Sequence, residues 1–167
     1  FIKKKILKIS KIALVKLTKK LGSDVILGIN PTNTVLSSNG NIKRYVKNSK
    51  LHVLVVKPNF GCSTKYIYSK VKLFSKSQFS FPSQTMFRIK YLKKLNNDLE
   101  KIAFTKYPKL KKIKLFLSTT PNNIFVRMSG SGSSIMAYFH SNRACSNAYR
   151  QFKRKFNNHW CNVSKTI

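Results

Sequence analysis

The order of elements legible along the chain predicts an α+β fold with antiparallel strand pairing. Three observations carry that prediction. Residues 124–139 read Ile-Phe-Val-Arg-Met-Ser-Gly-Ser-Gly-Ser-Ser-Ile-Met-Ala-Tyr-Phe, two strand-like apolar runs around a Gly/Ser loop. From residue 51 onward the local patterns follow the order β-α-α-α-β-β-α-β, which is a sheet with segregated helices rather than a wound parallel sheet. A content of 42% hydrophobic and 12% aromatic residues supplies a packed core in spite of the charge. Residues 1–50 do not read as a complete domain, so the predicted division is 1–50 and 51–167. The length of 167 residues suits one ordinary domain, or one plus a fragment.

Each element has a local reason. Phe1–Leu7 reads as the tail of a helix. Ser10 is an N-cap for a pattern with Ile12, Ala13, Leu17 and Leu21 on or near one face, and Gly22 stops it. Val25–Ile29 and Thr34–Leu36 read as short strands joined through Asn30-Pro31-Thr32-Asn33. Asn39-Gly40 marks a turn before a strand at Ile42–Val46. Leu51–Val56 is a buried strand broken by Lys57-Pro58-Asn59-Phe60-Gly61, after which Ser63 caps a short helix to Val71. Residues 73–87 are polar and aperiodic, an exposed loop. A helical pattern from Arg88 to Lys106 is interrupted at Asn96-Asn97-Asp98, and Pro108 opens another that reaches Leu117. Ser141 caps a helix from Asn142 to about Phe156, and Trp160–Val163 closes the chain as a strand.

Composition excludes several classes of function. No apolar run approaches the ~18 residues a membrane span requires, and no signal peptide is recognisable, so a cytoplasmic protein with no membrane partner is expected. Cys62, Cys145 and Cys161 are odd in number and lack metal-type spacing, as do His52, His140 and His159; reduced thiols and no metal site are expected. Thirty-four Lys+Arg against three Asp+Glu give a formal charge of +31. That charge guarantees salt-sensitive adhesion to polyanions. The lysines nevertheless run along the whole chain, and no RNP strand, GXXG clamp or RGG tract accompanies them, so no specific nucleic-acid partner is expected. Oligomeric state is not legible.

The Gly/Ser loop is where chemistry concentrates. Gly130 and Gly132 can take positive φ, letting successive N–H groups converge on an anion. The competing reading is a tight turn that needs glycine for geometry alone. Three other segments accompany it in order: Leu21-Gly22-Ser23-Asp24-Val25, then Lys57-Pro58-Asn59-Phe60-Gly61-Cys62-Ser63-Thr64, then Asn97-Asp98-Leu99-Glu100 with Ala103. Together with Met128-Ser129-Gly130-Ser131-Gly132 they resemble the small-molecule kinases of the GHMP superfamily. Within it they resemble the 4-diphosphocytidyl-2-C-methyl-D-erythritol kinase family of the non-mevalonate isoprenoid pathway. The likeness covers nearly the whole chain.

The resemblance implies a fold: the end of an ATP-binding domain of ribosomal S5 domain 2-like type, followed by a ferredoxin-like C-terminal domain. It implies ATP-dependent phosphorylation of the 2-hydroxyl of a cytidine diphosphate derivative, with Mg²⁺ on the phosphates. Asp24 falls on the family's catalytic aspartate, which accepts the proton of the attacking alcohol. Its alternative role is that of a turn aspartate after Gly22. Gly130, Ser131 and Gly132 match the glycine loop that approaches the triphosphate. Tyr68 matches an aromatic position that stacks on cytosine; it could equally pack on Tyr66 or Val71. Thr64 lies at the substrate-side turn, where it could also join Ser63 in capping. Asn97 and Asp98 read as structural, marking the break between helices.

Departures from the pattern are equally informative. Asp24-Val25-Ile26-Leu27-Gly28 lacks the proline that follows the Asp-Val pair in the family, and Asn39-Gly40-Asn41 lacks a usual glutamate. The family's Gly-Leu-Gly-Gly-Gly-Ser-Ser phosphate loop and its N-terminal lysine have no counterpart, and no other phosphate-loop motif substitutes for them. The chain therefore reads as N-terminally truncated, and the 167 residues alone are expected to be inactive. The competing readings are another GHMP kinase, acting on homoserine or mevalonate derivatives, and a non-catalytic basic protein that binds RNA or other polyanions.

Overall fold

A computed structural model describes residues 9–22, 24–37, 41–45, 50–76 and 83–166. The chain divides into two compact units, with the division between Asn48 and Ser49.

The first unit opens with α1 (Lys11–Leu21), whose N-cap Ser10 accepts the Ala13 N–H through its side chain. Gly22 closes it at φ +153°, a conformation that glycine takes freely, and its N–H returns to Thr18 O. Val25–Ile29, expected as a strand, is a 3₁₀ turn. The reason is local hydrogen bonding: Val25 N–H donates to Gly22 O and Leu27 N–H to Asp24 O, so the segment closes on itself. A five-residue apolar run carries no period that could separate the two. The hairpin is instead β1 (Asn33–Leu36) against β2 (Ile42–Tyr45), antiparallel with Asn33 opposite Tyr45. Arg44 ties this hairpin to the 3₁₀ turn by donating to Asn30 O and Ile26 O. The expected helix tail at Phe1–Leu7 and the Asn39-Gly40 turn lie outside the described residues.

The second unit contains β3 (His52–Lys57), α2 (Thr64–Ser69), α3 (Ile89–Leu92), α4 (Leu99–Lys106), α5 (Pro108–Ser118), β4 (Asn123–Met128), β5 (Ile135–Phe139), α6 (Asn142–Lys155) and β6 (Trp160–Lys165). Its sheet runs β4-β5-β3-β6 with every neighbouring pair antiparallel. That strand order is the one of a split β-α-β, ferredoxin-like α+β fold. The expected loop at 73–87 ends in a 3₁₀ turn at Gln84–Phe87, and Lys93 ends the first helix well before Asn96.

One face of the sheet makes the core. Leu54 and Val56 of β3, Ile135, Ala137 and Phe139 of β5, and Cys161 of β6 are buried against Leu110, Ile113 and Leu117 of α5 and Cys145, Ala148 and Phe152 of α6. Alternation along β5 is strict: Ile135, Ala137 and Phe139 point inward and are fully covered. Each such side chain of Val, Leu, Ile or Phe contributes roughly 1.5–3 kcal/mol. Phe116, Phe152, Phe156 and His159 extend the core as a ring cluster, with Phe152 on Phe156 at 5.0 Å and Phe156 on His159 at 6.0 Å. Ser63 and Ser141 cap α2 and α6 by accepting from Tyr66 N–H and Ala144 N–H.

A glycine loop braced by three neighbouring elements

The loop between β4 and β5, residues Ser129–Ser134, stands at the end of the sheet where β3 turns into α2. Pairing of Val56 with Ile135 sets this juxtaposition, because the residues that follow Val56 must pass the residues that precede Ile135. Gly130 and Gly132 hold φ of +52° and +88°. Ser129 N–H donates to Ser134 O and Gly132 N–H donates to Ser129 O, both at 2.9 Å. The amides of Gly130 and Ser131 have no acceptor among the described residues. The nest expected from the sequence is thus narrower: Gly132 spends its N–H on the turn itself, and the two preceding amides stay available to an anion.

The glycines differ in what surrounds them. A Cβ on Gly132 would lie 2.9 Å from Met128 Sδ and 3.1 Å from Cys62 Sγ, whereas nothing stands within 4 Å of one on Gly130. Gly132 is therefore required by packing and by backbone conformation, Gly130 by conformation only.

Three elements brace the loop. From the β3–α2 turn, Lys57 Nζ donates to Ser133 Oγ at 2.7 Å and to Phe60 O at 3.1 Å, while Ser133 Oγ, buried, donates to Phe60 O at 2.6 Å. From the first residue of α2, Thr64 Oγ1 and Ser131 Oγ share a hydrogen bond of 2.8 Å. From the turn before α4, Asn97 Nδ2 donates to Met128 O at 3.0 Å and Gly130 O at 2.8 Å. Its Oδ1 accepts Leu99 N–H, and Glu100, paired with Lys114, accepts Met128 N–H at 2.7 Å. Burial of the neighbouring Cys62 raises its thiol pKa, against the opposing pull of Lys57, which favours the thiolate.

The sequence-predicted residues are distributed as follows. Thr64 and Ser131 touch each other directly. Tyr68 lies one helical turn beyond Thr64 on the same face of α2 and is 51% exposed. Asp24 belongs to the first unit, where it is exposed and stands ahead of the 3₁₀ turn without capping it through its side chain. Asn97 does more than mark a break: it grips the glycine loop. Lys57 opens one of the segments that carry the resemblance, but nothing in the sequence pairs it with Ser133. A lysine at the end of a buried strand and a serine beside a glycine carry no pattern that joins them, and only the strand register brings them together.

Among the described residues no group of three or more His, Cys, Asp or Glu is arranged to hold a metal ion, and no helix is long and apolar enough to cross a membrane. Cys62, Cys145 and Cys161 are free thiols.

No family model matches the chain. Over all 167 residues it is 62% identical to a 4-diphosphocytidyl-2-C-methyl-D-erythritol kinase of Pelagibacter ubique, covering 59% of that protein. The kinase of the same name from Clostridium kluyveri is 31% identical over 150 residues, 86% of this chain and 53% of that one. A crystal structure of a 4-(cytidine 5'-diphospho)-2C-methyl-D-erythritol kinase superposes with a TM-score of 0.74 at 20% identity, over 96% of this chain and 58% of that one. A homoserine kinase from Cytophaga hutchinsonii gives 0.64 at 15% identity, over 86% of this chain and 50% of that one. These two structural likenesses establish the fold. The chain spans between half and three fifths of the length of the Pelagibacter and Clostridium kinases. By sequence along its whole length, and by fold over nearly all of it, the chain is similar to 4-diphosphocytidyl-2-C-methyl-D-erythritol kinases.

Proposed function

We propose that the chain is part of an enzyme that phosphorylates the 2-hydroxyl of 4-diphosphocytidyl-2-C-methyl-D-erythritol with ATP, in isoprenoid precursor synthesis in the cytoplasm. The observation that carries the proposal is 62% identity over the entire chain to the Pelagibacter kinase. In this reading residues 1–50 belong to the ATP-binding domain and residues 51–167 form the C-terminal domain.

Each residue has a chemical task in the proposal. The Asp24 carboxylate accepts the proton of the tertiary alcohol as it attacks, orienting a weak nucleophile for in-line transfer. The Gly130 and Ser131 amides donate to oxygens of the migrating phosphoryl group, where charge grows in the transition state. Gly132 lets the loop approach closely and keeps its own amide in the turn. Thr64, through its bond to Ser131, fixes the loop hydroxyl on the substrate side, and Tyr68 offers an exposed ring for the cytosine, a stack worth roughly 1–3 kcal/mol. Magnesium, when bound, would neutralise charge on the phosphates.

The test is phosphate transfer from ATP followed by ³¹P NMR, with a protein that includes these 167 residues within the full length of the relatives. Transfer to the cytidine diphosphate substrate, and none to homoserine or mevalonate, supports the proposal. Transfer to homoserine alone would move the chain to another branch of the superfamily. The 167 residues by themselves are expected to show no turnover.

A further inference from the structure

The face of α2 turned away from Thr64 and Tyr68 borders a groove of about 560 Å³ whose far wall is α4. Successive residues of a helix turn by about 100°, so Tyr66 and Lys70 stand on one face of α2 and its C-cap, and Thr64 and Tyr68 on the opposite one. The groove is therefore separate from the glycine loop. Lys70, Lys72, Lys101 and Lys106 line it, and Tyr66, Val71 and Ile102 give it apolar walls. The ammonium groups of Lys106 and Lys70 lie over the same Tyr66 ring, 5.0 and 5.7 Å from its centre. Two cations are thus drawn to one ring from neighbouring elements.

The protein supplies little negative charge to balance them. Its three acids are Asp24, Asp98 and Glu100, and of these Asp98 lines the groove. Its Oδ2 accepts both the N–H and the hydroxyl of Ser75, each at 2.9 Å. Glu100 is not among the lining residues and is paired with Lys114. With four lysines and one aspartate in its lining, the groove carries an excess of positive charge. A cleft dominated by one sign of charge with low-dielectric walls focuses its field and concentrates counter-ions. Four ammonium groups along two elements match several linked negative charges better than one.

We infer that the groove between α2 and α4 is a second anion site that takes a chain of linked phosphates. The ammonium groups of Lys70, Lys72, Lys101 and Lys106 bind the phosphate oxygens, and the Tyr66 ring holds Lys70 and Lys106 in place. The inference is independent of the proposed kinase activity. Free oligophosphate and the phosphate tail of a nucleotide share this chemistry.

The test is calorimetric titration of the 167-residue chain with tripolyphosphate and with ATP at fixed salt. The triple substitution Lys70→Gln, Lys101→Gln, Lys106→Gln should weaken tripolyphosphate binding at least tenfold. Removing as much charge elsewhere, with Lys93→Gln, Lys94→Gln and Lys165→Gln, should weaken it less than twofold. Tyr66 ring resonances should move during the wild-type titration, which reports on the groove without any substitution. Equal affinity for tripolyphosphate and ATP identifies the phosphate chain as the whole determinant; tighter ATP binding adds the apolar wall as a base contact. Equal weakening in the two triple variants, or Tyr66 resonances that stay still, would overturn the site. Binding of single-stranded RNA without measurable tripolyphosphate binding would overturn it as well.

Discussion

Gly132 and Gly130 sit two residues apart, yet alanine should cost very different amounts at the two positions. At Gly130 the penalty is left-handed backbone alone, about 1–2 kcal/mol. At Gly132 a methyl group also meets the buried Met128 sulfur and the Cys62 sulfur, and overpacking of that kind adds roughly 1–3 kcal/mol. Chemical denaturation of the two variants should reproduce that order; equal losses would mean that the sulfurs yield freely. Ser133→Ala is a second residue-scale case. It removes the hydroxyl that joins Lys57 to Phe60 O, and a loss of about 1–3 kcal/mol is expected when a buried partner is deleted. Amide exchange should rise in the loop rather than across the sheet, because the sheet's own ladder is untouched.

At the scale of elements, the turn after β3 and the start of β6 are joined by one bond that senses protons. Asn59 N–H donates to His159 Nδ1 at 3.3 Å, which requires that nitrogen to be unprotonated. Burial lowers the pKa of His159 below its ordinary value, with nearby Lys153 and Lys109 pushing the same way and a backbone hydrogen bond opposing. A depressed folded pKa means that the unfolded chain binds the proton more readily. The stability contributed by neutral His159 is therefore complete above about pH 6.5 and is lost as pH falls through the folded value. The melting temperature should drop between about pH 7 and 5, and His159→Phe, which keeps the ring stacked on Phe156, should flatten that slope. A slope unchanged by the substitution would exclude His159 as its source.

The elements also show how much of the structure is legible in the sequence. Capping serines announce α1, α2 and α6, and a compact apolar run announces β5, because those signals are local. Val25–Ile29 escapes such a reading because its hydrogen bonds go to Gly22 and Asp24, and an apolar run of that length has no period to reveal it. The glycine loop is legible from Met128-Ser129-Gly130-Ser131-Gly132, but its bracing is not. Lys57 meets Ser133 through the register of β3 on β5, and Asn97 meets the loop backbone through the placement of α4, contacts between residues far apart in sequence.

For the whole molecule the governing property is the formal charge of +31. Three acids face thirty-four lysines and arginines, so most of the positive charge is balanced by solvent ions alone. Self-repulsion on that scale opposes compaction, and salt relieves it as the screening length falls to about 10 Å near 0.1 M. The melting temperature should therefore rise with sodium chloride between about 20 and 300 mM, a range over which that length shortens severalfold. A flat response would mean that the lysines are too far apart to act on one another.

The most direct measurement is the rate of ATP-dependent phosphorylation of 4-diphosphocytidyl-2-C-methyl-D-erythritol by a protein of full relative length, before and after Asp24→Asn. Substrate binding and melting temperature are followed in parallel. If Asp24 accepts the proton of the attacking alcohol, the rate falls by about 10²-fold or more while affinity and stability barely change. A variant that keeps its rate within twofold of the parent would contradict the role of Asp24 and with it the mechanism proposed for this chain.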